Sequence, residues 1–378
     1  MLNTVAYFKG AMLSNRIMHA AVFHGPGCIV NNDIYPNCNN NEEGILLKLK
    51  ACAVCGYDVR VFRNGHFKVT PPIILGHEIC GEISTDTFSE VSGREVLIKA
   101  GTRVTVSPIV PCLECMYCNR NEYNLCIHLR EIGSSINGGF AEYLSIPREV
   151  VKIGGIIPVP DNMHDDEAAL LEPLACCLSS LNHIGWRAHE EWTIVIIGDG
   201  PIGLLHLQLS KRFGARTIMV GKIPRRLSKA SSLGADIALM FNRNDTDDNR
   251  HSEDTLRDIM SYTEGYGADA IIIATSSPAA YELALRIAAK NSKINIFAGM
   301  PRRCSRPLDL NWIHYNQISV TGSFSSTPNM LKKGAELVST GQIKLSEIIS
   351  HHYSLGDIKK ALLATENYLG LRVIINKF

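Results

Sequence analysis

The chain has 378 residues, about two to three times the size of a common domain, so two domains with separate cores are expected. Its 38 basic and 37 acidic residues leave a net charge of +1 without a basic stripe, which argues against nucleic acid or a membrane surface as a partner. We expect small molecules and further copies of the chain instead, in a homodimer or homotetramer. Twelve cysteines predict a reducing compartment, the cytoplasm.

Residues 1–17 are predicted to form an N-terminal extension. They carry only Lys9 and Arg16 as charges and lack a sustained apolar segment, which argues against a secretory signal. No run of eighteen apolar residues occurs in the chain, so no transmembrane helix is predicted. A strand-like pattern from Met18 marks the expected start of the first domain.

Residues 18–173 contain short runs of strand-forming residues that Gly and Pro interrupt. Ile45 to Lys50 and Arg103 to Val106 are two of these runs. Such a pattern is typical of a compact, mostly β domain. We therefore predict that this part of the chain forms a β-rich domain.

A thiol, an imidazole and a carboxylate occur close together in the β-rich part. Cys55 begins the run Cys-Gly-Tyr-Asp, and His77 and Glu78 follow directly after Gly76. A catalytic zinc takes about three protein ligands and keeps one exchangeable position, and these three residues satisfy that count. The alternative is an ordinary polar pair of a histidine and a glutamate.

Four cysteines follow with the spacing C-x2-C-x2-C-x7-C, at Cys112, Cys115, Cys118 and Cys126. Thiolates are soft ligands that select zinc or an iron–sulfur cluster, and zinc is the more economical interpretation because no redox motif lies nearby. Chance or disulfide pairing is the alternative, although disulfides suit small secreted domains. The spacing predicts a closed, structural zinc site and leaves catalysis to another site.

Glu172 lies in the apolar run Ala-Ala-Leu-Leu-Glu-Pro-Leu-Ala. An unpaired carboxylate would be expensive to bury there, so this glutamate needs a partner. The catalytic metal could be that partner, directly or through its bound water, and an arginine is the alternative.

From Trp192 the pattern alternates between apolar strands, glycine turns and helices. Thr193 to Gly198, Pro201 to Phe213 and Thr217 to Val220 are the first of these segments. Alternation of this kind predicts a parallel sheet with crossover helices, over residues 174–311. Residues 312–378 return to a β-rich pattern, and we expect them to rejoin the first domain.

The sequence Gly198-Asp-Gly200-Pro201-Ile202-Gly203 follows the first of these strands and opens a helix. In that context the three glycines allow a tight turn, the approach of a pyrophosphate and close packing of helix on strand. This loop is predicted to bind a dinucleotide. A merely tight turn is the alternative.

The next strand ends on Gly221, where an NAD site carries an acid that binds the ribose 2′-hydroxyl. Lys222, Arg225 and Arg226 follow within five residues. The missing carboxylate and the three cations favour NADP over NAD, because they can hold a 2′-phosphate. Solvated charges on a helix turn are the alternative.

Taken in order along the chain, these motifs resemble the zinc-dependent medium-chain dehydrogenase/reductase superfamily and, within it, the polyol dehydrogenases of the sorbitol and L-iditol type. Gly-Gly-Phe-Ala-Glu-Tyr, which starts at Gly138, belongs to the same series. The resemblance covers nearly the whole chain from Met18. It implies an α/β protein with a GroES-like, mostly β catalytic domain and a Rossmann domain, a doubly wound parallel sheet, with the active site between them.

The resemblance also implies roles for single residues. Cys55, His77 and Glu78 would bind the catalytic zinc, and Glu172 would be a fourth ligand or would bind the zinc water. Two zinc ions per chain are expected. Tyr57 stands where the family usually has Ser or Thr for proton relay; a phenol can relay a proton, but its bulk reshapes the substrate pocket.

The function that this resemblance implies is hydride transfer between a secondary alcohol of a polyol, sugar or sugar phosphate and NADP(H) or NAD(H). No residue in the sequence identifies the substrate. A simple alcohol or amino-alcohol dehydrogenase, of the threonine type for example, is one alternative. A noncatalytic NADPH-binding protein on the same fold is another, although the complete open metal set argues against it.

Overall fold

The computed structural model describes residues 17–34, 44–91, 94–185, 191–241, 250–300 and 308–378. The chain divides into two compact units. The first consists of two segments, one that ends at Leu170 and one from Ile349 to Phe378, and the second spans Leu171–Ile348. Apart from Ile17, the N-terminal extension predicted for residues 1–17 lies outside the described residues. Among the described helices, none combines the length and apolarity that crossing a bilayer requires.

The first unit is built mainly from short strands. Up to Leu170 its strands are β1 (Met18–Gly25), β2 (Cys28–Ile34), β3 (Ile45–Val54), β4 (Ile73–Ile74), β5 (Glu78–Ile83), β6 (Thr87–Val91), β7 (Arg94–Ile98), β8 (Arg103–Val106), β9 (Ile109–Val110), β10 (Arg130–Glu131), β11 (Tyr143–Ile146) and β12 (Ile156–Pro158). Its helices there are α1 (Gly56–Asn64), α2 (Arg148–Lys152) and α3 (Asp165–Ala169).

The second unit alternates helices with strands. Its helices are α4 (Leu171–His183), α5 (Pro201–Arg212), α6 (Pro224–Ser232), α7 (Arg250–Tyr262), α8 (Pro278–Ile287), α9 (Leu310–Asn316) and α10 (Pro328–Ser339). Its strands are β13 (Thr193–Ile197), β14 (Arg216–Gly221), β15 (Ile237–Met240), β16 (Ala268–Ile273), β17 (Ala288–Ile296) and β18 (Ser319–Gly322).

The chain completes the first unit with β19 (Ile349–Ser354), α11 (Ile358–Glu366) and β20 (Arg372–Lys377). The main sheet has the order β12-β8-β5-β3-β20-β19, and β11 also pairs with β3. Val54 of β3 lies opposite Val373 of β20, and Ala53 lies opposite Glu78 of β5. The C-terminal strand therefore enters the same sheet that carries Glu78.

The sheet of the second unit has the order β15-β14-β13-β16-β17-β18, and each neighbouring pair is parallel. Its central strand β13 is apolar and buried from Ile194 to Ile197, as expected of a parallel strand that helices cover on both faces. This is the Rossmann strand order, with the change of direction beside β13. The predicted fold class is confirmed.

The second unit extends further along the chain than predicted. Residues 312–348 were expected to be β-rich and to belong to the first domain, but they contribute β18 and α10 to the second unit. Contacts within the second unit explain this difference. Strand β18 pairs in parallel with β17, and α10 packs closely on α4 where Gly334 lies against Leu174. At the N-terminal boundary, the second unit begins at Leu171, close to the predicted residue 174.

Candidate active site and metal centres

The four predicted structural ligands lie together in a loop of the first unit. The Sγ atoms of Cys112, Cys115, Cys118 and Cys126 are all within 4.8 Å of one another. Cys118 Sγ lies 3.9 Å from Cys112 Sγ and 3.5 Å from Cys115 Sγ. All four cysteines are free thiols.

These distances fit a metal and not a disulfide. A disulfide joins its sulfurs at about 2.05 Å. Four Zn–S bonds of about 2.3 Å in a tetrahedron place the sulfurs about 3.8 Å apart. Hydrogen bonds from the backbone at Cys118 and Ile127 also lower the pKa of Cys115 to about 6, which favours the thiolate that a metal requires. The loop is therefore suited to hold a structural zinc.

The second ligand set also assembles. Cys55 directly precedes α1, His77 directly precedes β5, and Glu78 is the first residue of β5. One ligand atom from each lies within 4.8 Å of the other two. Only a glycine fits easily at residue 76, directly before His77. Its φ is +93°, which side chains disfavour, and a Cβ there would lie 2.8 Å from Cys52 Sγ.

The Glu78 carboxylate provides the observation that favours a metal at this set. Glu78 is fully buried, and in the described part of the chain neither of its side-chain oxygens has a hydrogen-bond partner. Among the described residues, Arg372 Nη2 makes an ionic contact with it, at 3.0 Å from Oε1 but without hydrogen-bond geometry. Because buried carboxylate oxygens without hydrogen bonds are costly even beside an arginine, a cation held by Cys55, His77 and Glu78 fits the donor set.

Two residues that support this set were not assigned roles from the sequence. Asp58 is fully buried; its Oδ2 accepts the Cys55 N–H at 2.9 Å, and its Oδ1 lies 3.6 Å from His77 Nδ1. Nδ1 thus faces a carboxylate, which leaves Nε2 for a metal. Arg372 contacts Glu78 and donates to the Val54 carbonyl at 3.2 Å.

The electrostatics of His77 agree with this arrangement. Burial lowers the pKa of its imidazole, but the Asp58 carboxylate and Cys55 outweigh burial, so the pKa is raised well above its usual value. Asp58 therefore stabilises positive charge on the ring, as carboxylates behind metal-binding histidines do. The run Cys55-Gly-Tyr-Asp58 was the signal for this residue in the sequence.

Tyr57 lies next to the metal-binding set and is half-buried. Its ring meets the His77 ring edge-on, with 5.8 Å between the ring centroids. Its hydroxyl lies 2.8 Å from Ser134 Oγ and 3.2 Å from His66 Nδ1. Burial raises the pKa of the phenol more than the hydrogen bond with Ser134 lowers it. The hydroxyl thus belongs to a chain of polar groups that can exchange protons.

Glu172 lies in the second unit, at the start of α4. It is 6% exposed, and its Oε1 accepts a hydrogen bond from Cys176 Sγ at 3.2 Å. The expectation that this carboxylate is buried and needs a partner agrees with these contacts. Its role toward the catalytic metal stays a prediction.

The glycine loop between β13 and α5 has the predicted geometry. Gly198 has a φ of +126°, and a Cβ at Gly203 would lie 1.8 Å from the Gly198 carbonyl oxygen. A Cβ at Gly200 would meet no described atom within 4 Å, so the space beside this residue is open. Pro201 and Ile202 form the first turn of α5. The loop fits a dinucleotide whose pyrophosphate approaches the helix N-terminus.

Gly221 ends β14 as predicted, and the three cations behind it differ in exposure. Lys222 and Arg225 are exposed, whereas Arg226 is only 6% exposed within α6. Two of the three predicted cations are therefore exposed, and the third is buried. The loop also carries Asp199, a buried acid that was not assigned a role from the sequence.

A buried histidine of α5 gives the second unit a predicted pH dependence. His206 is fully buried, its Nδ1 lies 2.9 Å from the Ile202 carbonyl oxygen, and burial lowers its pKa to about 4. The unfolded chain binds this proton below about pH 6.5 and the folded chain only below about pH 4. The contribution of this histidine to the free energy of unfolding is therefore fully present above about pH 6.5. It falls by about 1.4 kcal/mol per pH unit as the pH decreases from about 6.5 to about 4.

We expect His206→Gln to reduce this acid sensitivity. Urea unfolding at pH 7.5 and pH 5 should show that the original chain loses about 2 kcal/mol more than the variant does. The exposed His24 offers the matched control, and His24→Gln should behave like the original chain. Equal losses in the original chain and His206→Gln would contradict the buried, neutral state of the histidine.

Comparison with known proteins identifies the family. The family model of the alcohol dehydrogenase GroES-like domain matches residues 41–160, and that of the zinc-binding dehydrogenases matches residues 201–340. Together they cover more than half of the chain. Each match falls largely within one of the two units.

The chain is 32% identical over 325 residues to a D-arabitol-phosphate dehydrogenase of Enterococcus avium, and the matched region covers 85% of this chain and 86% of that protein. It is 30% identical over 351 residues to a sorbitol dehydrogenase of Bacillus subtilis, with 91% and 92% covered. A solved structure from Sinorhizobium meliloti, described as a zinc-binding dehydrogenase bound to NADP, matches with a TM-score of 0.83 at 27% identity, over 96% of this chain and 100% of that one.

These matches confirm the family that the order of motifs predicted. Two of the relatives carry the names of polyol-type dehydrogenases. The chain therefore belongs to the zinc-dependent medium-chain dehydrogenases and is an oxidoreductase of the alcohol dehydrogenase type.

Proposed function

We propose that the chain transfers a hydride between a secondary alcohol of a polyol, sugar or sugar phosphate and NADP(H) or NAD(H). The observation that carries the proposal is the set of Cys55, His77 and Glu78, in which neither buried carboxylate oxygen accepts a hydrogen bond from the residues that the structure describes. The names of the two curated relatives support the substrate class.

When bound, a zinc ion supplies Lewis acidity toward the substrate hydroxyl, and the nicotinamide accepts or returns the hydride. The chain supplies the rest. Cys55, His77 and Glu78 hold the metal, and Asp58 keeps the His77 ring oriented through Nδ1. Arg372 offsets the buried negative charge of Glu78.

The proton released in alcohol oxidation needs a route to water. The Tyr57 hydroxyl, with Ser134 Oγ at 2.8 Å and His66 Nδ1 at 3.2 Å, offers one along this chain's own groups. His66 is partly exposed, so its imidazole can exchange the proton with solvent. We propose that Tyr57 and His66 replace the hydroxyl relay that Ser or Thr supplies in related enzymes.

For the nucleotide we propose NADP(H), with NAD(H) as the alternative. Gly221 supplies no side-chain carboxylate, Lys222 follows it directly and Arg225 lies in the first turn of α6, and both cations are exposed. Charge-assisted hydrogen bonds from these cations to a 2′-phosphate would each contribute about 1.5 to 3 kcal/mol before desolvation. The NADP-bound state of the Sinorhizobium meliloti structure supports this choice.

A substrate panel tests the function. Zinc-loaded protein is assayed with sorbitol, other polyols, sugar phosphates, threonine and primary alcohols, each with both nucleotides. The proposal expects the highest kcat/KM for a polyol, sugar or sugar phosphate. A preference for threonine or a primary alcohol would contradict this proposal and favour a simple alcohol or amino-alcohol dehydrogenase. Nucleotide binding without turnover of any substrate class would favour a noncatalytic protein.

Assembly and compartment are proposed together with this function. Among the described residues, the second-unit sheet has β15 and β18 as its outermost strands, and the outer edge of such a strand can pair with another copy. We propose a homodimer or homotetramer, which light scattering on purified protein tests. Ten cysteines in the described part of the chain are free, which supports a reducing, cytoplasmic location.

A further inference from the structure

The glycine-rich loop carries a buried acid that reaches the end of the neighbouring strand. Asp199 lies between Gly198 and Gly200 and is 8% exposed. Its Oδ2 accepts the backbone N–H groups of Lys222 at 2.8 Å and Ile223 at 2.7 Å. Its Oδ1 accepts no hydrogen bond from the described residues. The carboxylate therefore lies directly after β14, although it belongs to the loop after β13.

Gly221 makes room for this carboxylate. A Cβ at residue 221 would lie 2.4 Å from Asp199 Cβ and 2.5 Å from Asp199 Oδ2. Such distances are too short for non-bonded atoms, so any side chain at residue 221 would displace Asp199. The acid in the loop and the glycine at the strand end therefore form one spatial unit, in which the loop supplies the carboxylate.

This location is where nucleotide-binding sheets discriminate between NAD and NADP. A carboxylate after the second strand accepts a hydrogen bond from the ribose 2′-hydroxyl and repels a 2′-phosphate. Backbone N–H groups at the same turn could otherwise bind the phosphate, but Asp199 already occupies those of Lys222 and Ile223. A 2′-phosphate would depend on the side chains of Lys222 and Arg225.

We infer that Asp199 is a specificity-determining residue of the nucleotide site, supplied by the loop in place of the missing strand-end acid. Its carboxylate favours the ribose hydroxyl of NAD(H) and limits the preference for NADP(H) that Lys222 and Arg225 create. This inference rests on the proposed binding of a nicotinamide nucleotide at the glycine-rich loop. It predicts a direction of change whichever nucleotide the original chain prefers.

Binding measurements on the zinc-loaded full chain test the inference without relying on turnover. Kd is measured for NADH and NADPH by fluorescence, and for 5′-AMP and adenosine 2′,5′-bisphosphate by calorimetry. Asp199→Asn keeps an oxygen that can accept the two N–H groups but removes the charge. The ratio of NADPH affinity to NADH affinity should rise about tenfold or more, and the two adenosine probes should shift in the same direction.

The control and the reciprocal variant separate specificity from folding. Asp236 accepts the Thr217 N–H at the opposite end of β14, and Asp236→Asn should leave the affinity ratio unchanged. Asp199→Ala should raise the ratio, and the double variant Asp199→Ala/Gly221→Asp, which moves the acid to the strand end, should lower it again. Thermal unfolding of each variant checks that it is folded.

Three results would overturn the inference. An unchanged ratio in Asp199→Asn, with equal weakening of both nucleotides in Asp199→Ala, would show that the acid only fixes the turn. If the double variant has the same ratio of NADPH affinity to NADH affinity as Asp199→Ala, a carboxylate at this place does not affect the choice of nucleotide. If the original chain binds none of the four probes, the nucleotide site itself is refuted, whereas normal binding with a failed substrate panel refutes only the proposed reaction.

Discussion

Replacing His77 by alanine should lower turnover about 1000-fold and reduce the zinc content from two ions per chain to one. Loss of a Lewis acid removes several kcal/mol of transition-state stabilisation, and each 1.4 kcal/mol is about a factor of ten in rate. The affinity for NADPH should stay within about twofold, because the glycine-rich loop lies in the other unit. Steady-state kinetics, elemental analysis and nucleotide titration measure the three quantities.

His24→Ala is the matched control, since this histidine is exposed and lies outside both ligand sets. It should keep both metal ions and full activity. Full activity of His77→Ala would remove zinc chemistry at this set from the mechanism. Loss of folding in His77→Ala would be visible as a lost thermal transition, and Cys55→Ser then tests the same set through a different ligand.

Replacing Cys115 by serine should remove the second metal ion and destabilise the first unit. Structural zinc contributes folding free energy directly, of about 10 kcal/mol or more in isolated zinc fingers. Even a loss of about 3 kcal/mol should lower Tm by roughly 10 °C in a domain of this size. Elemental analysis and calorimetry of the purified variant measure both effects.

Cys28→Ser is the control for this prediction, because Cys28 is an exposed free thiol outside the four-cysteine set. It should keep two metal ions and an unchanged Tm. If Cys115→Ser also keeps two ions and its stability, the loop does not hold a structural metal. A chelator added to the original chain should lower its Tm as Cys115→Ser does. Added to the variant, it should change the Tm less.

The sequence predicted those parts of the site whose residues are neighbours along the chain. The four cysteines from Cys112 to Cys126 occupy one loop, so their spacing was enough to predict that their sulfurs meet. The turn from Gly198 to Gly203 is local in the same sense. The order of segments likewise predicted the second unit, because short apolar strands that alternate with glycine turns and helices are typical of a parallel sheet with helices on both faces.

Periodicity was less informative where tertiary packing decides. The segment after Leu310 was expected to be β-rich and part of the first domain, but it forms α9, β18 and α10 in the second unit. A short parallel strand such as β18 is defined by its pairing with β17, which the sequence does not display. The predicted boundary at residue 311 therefore lies well before the structural one at Ile348.

The sequence alone thus determined the four-cysteine set and the nucleotide loop, because the spacing of their residues is local, and the fold class, because strands and helices follow one another in a characteristic order. Cys55 and the pair of His77 and Glu78 are separated by α1 and β4, and only their donor types and the order of motifs suggested that they form one set. Only the tertiary structure paired Glu78 with Arg372, 294 positions later, through the register of β5, β3 and β20. Only it placed Asp199 in the space that Gly221 leaves open after β14. Both contacts depend on which strands become neighbours in a sheet, and that order results from the packing of the whole unit.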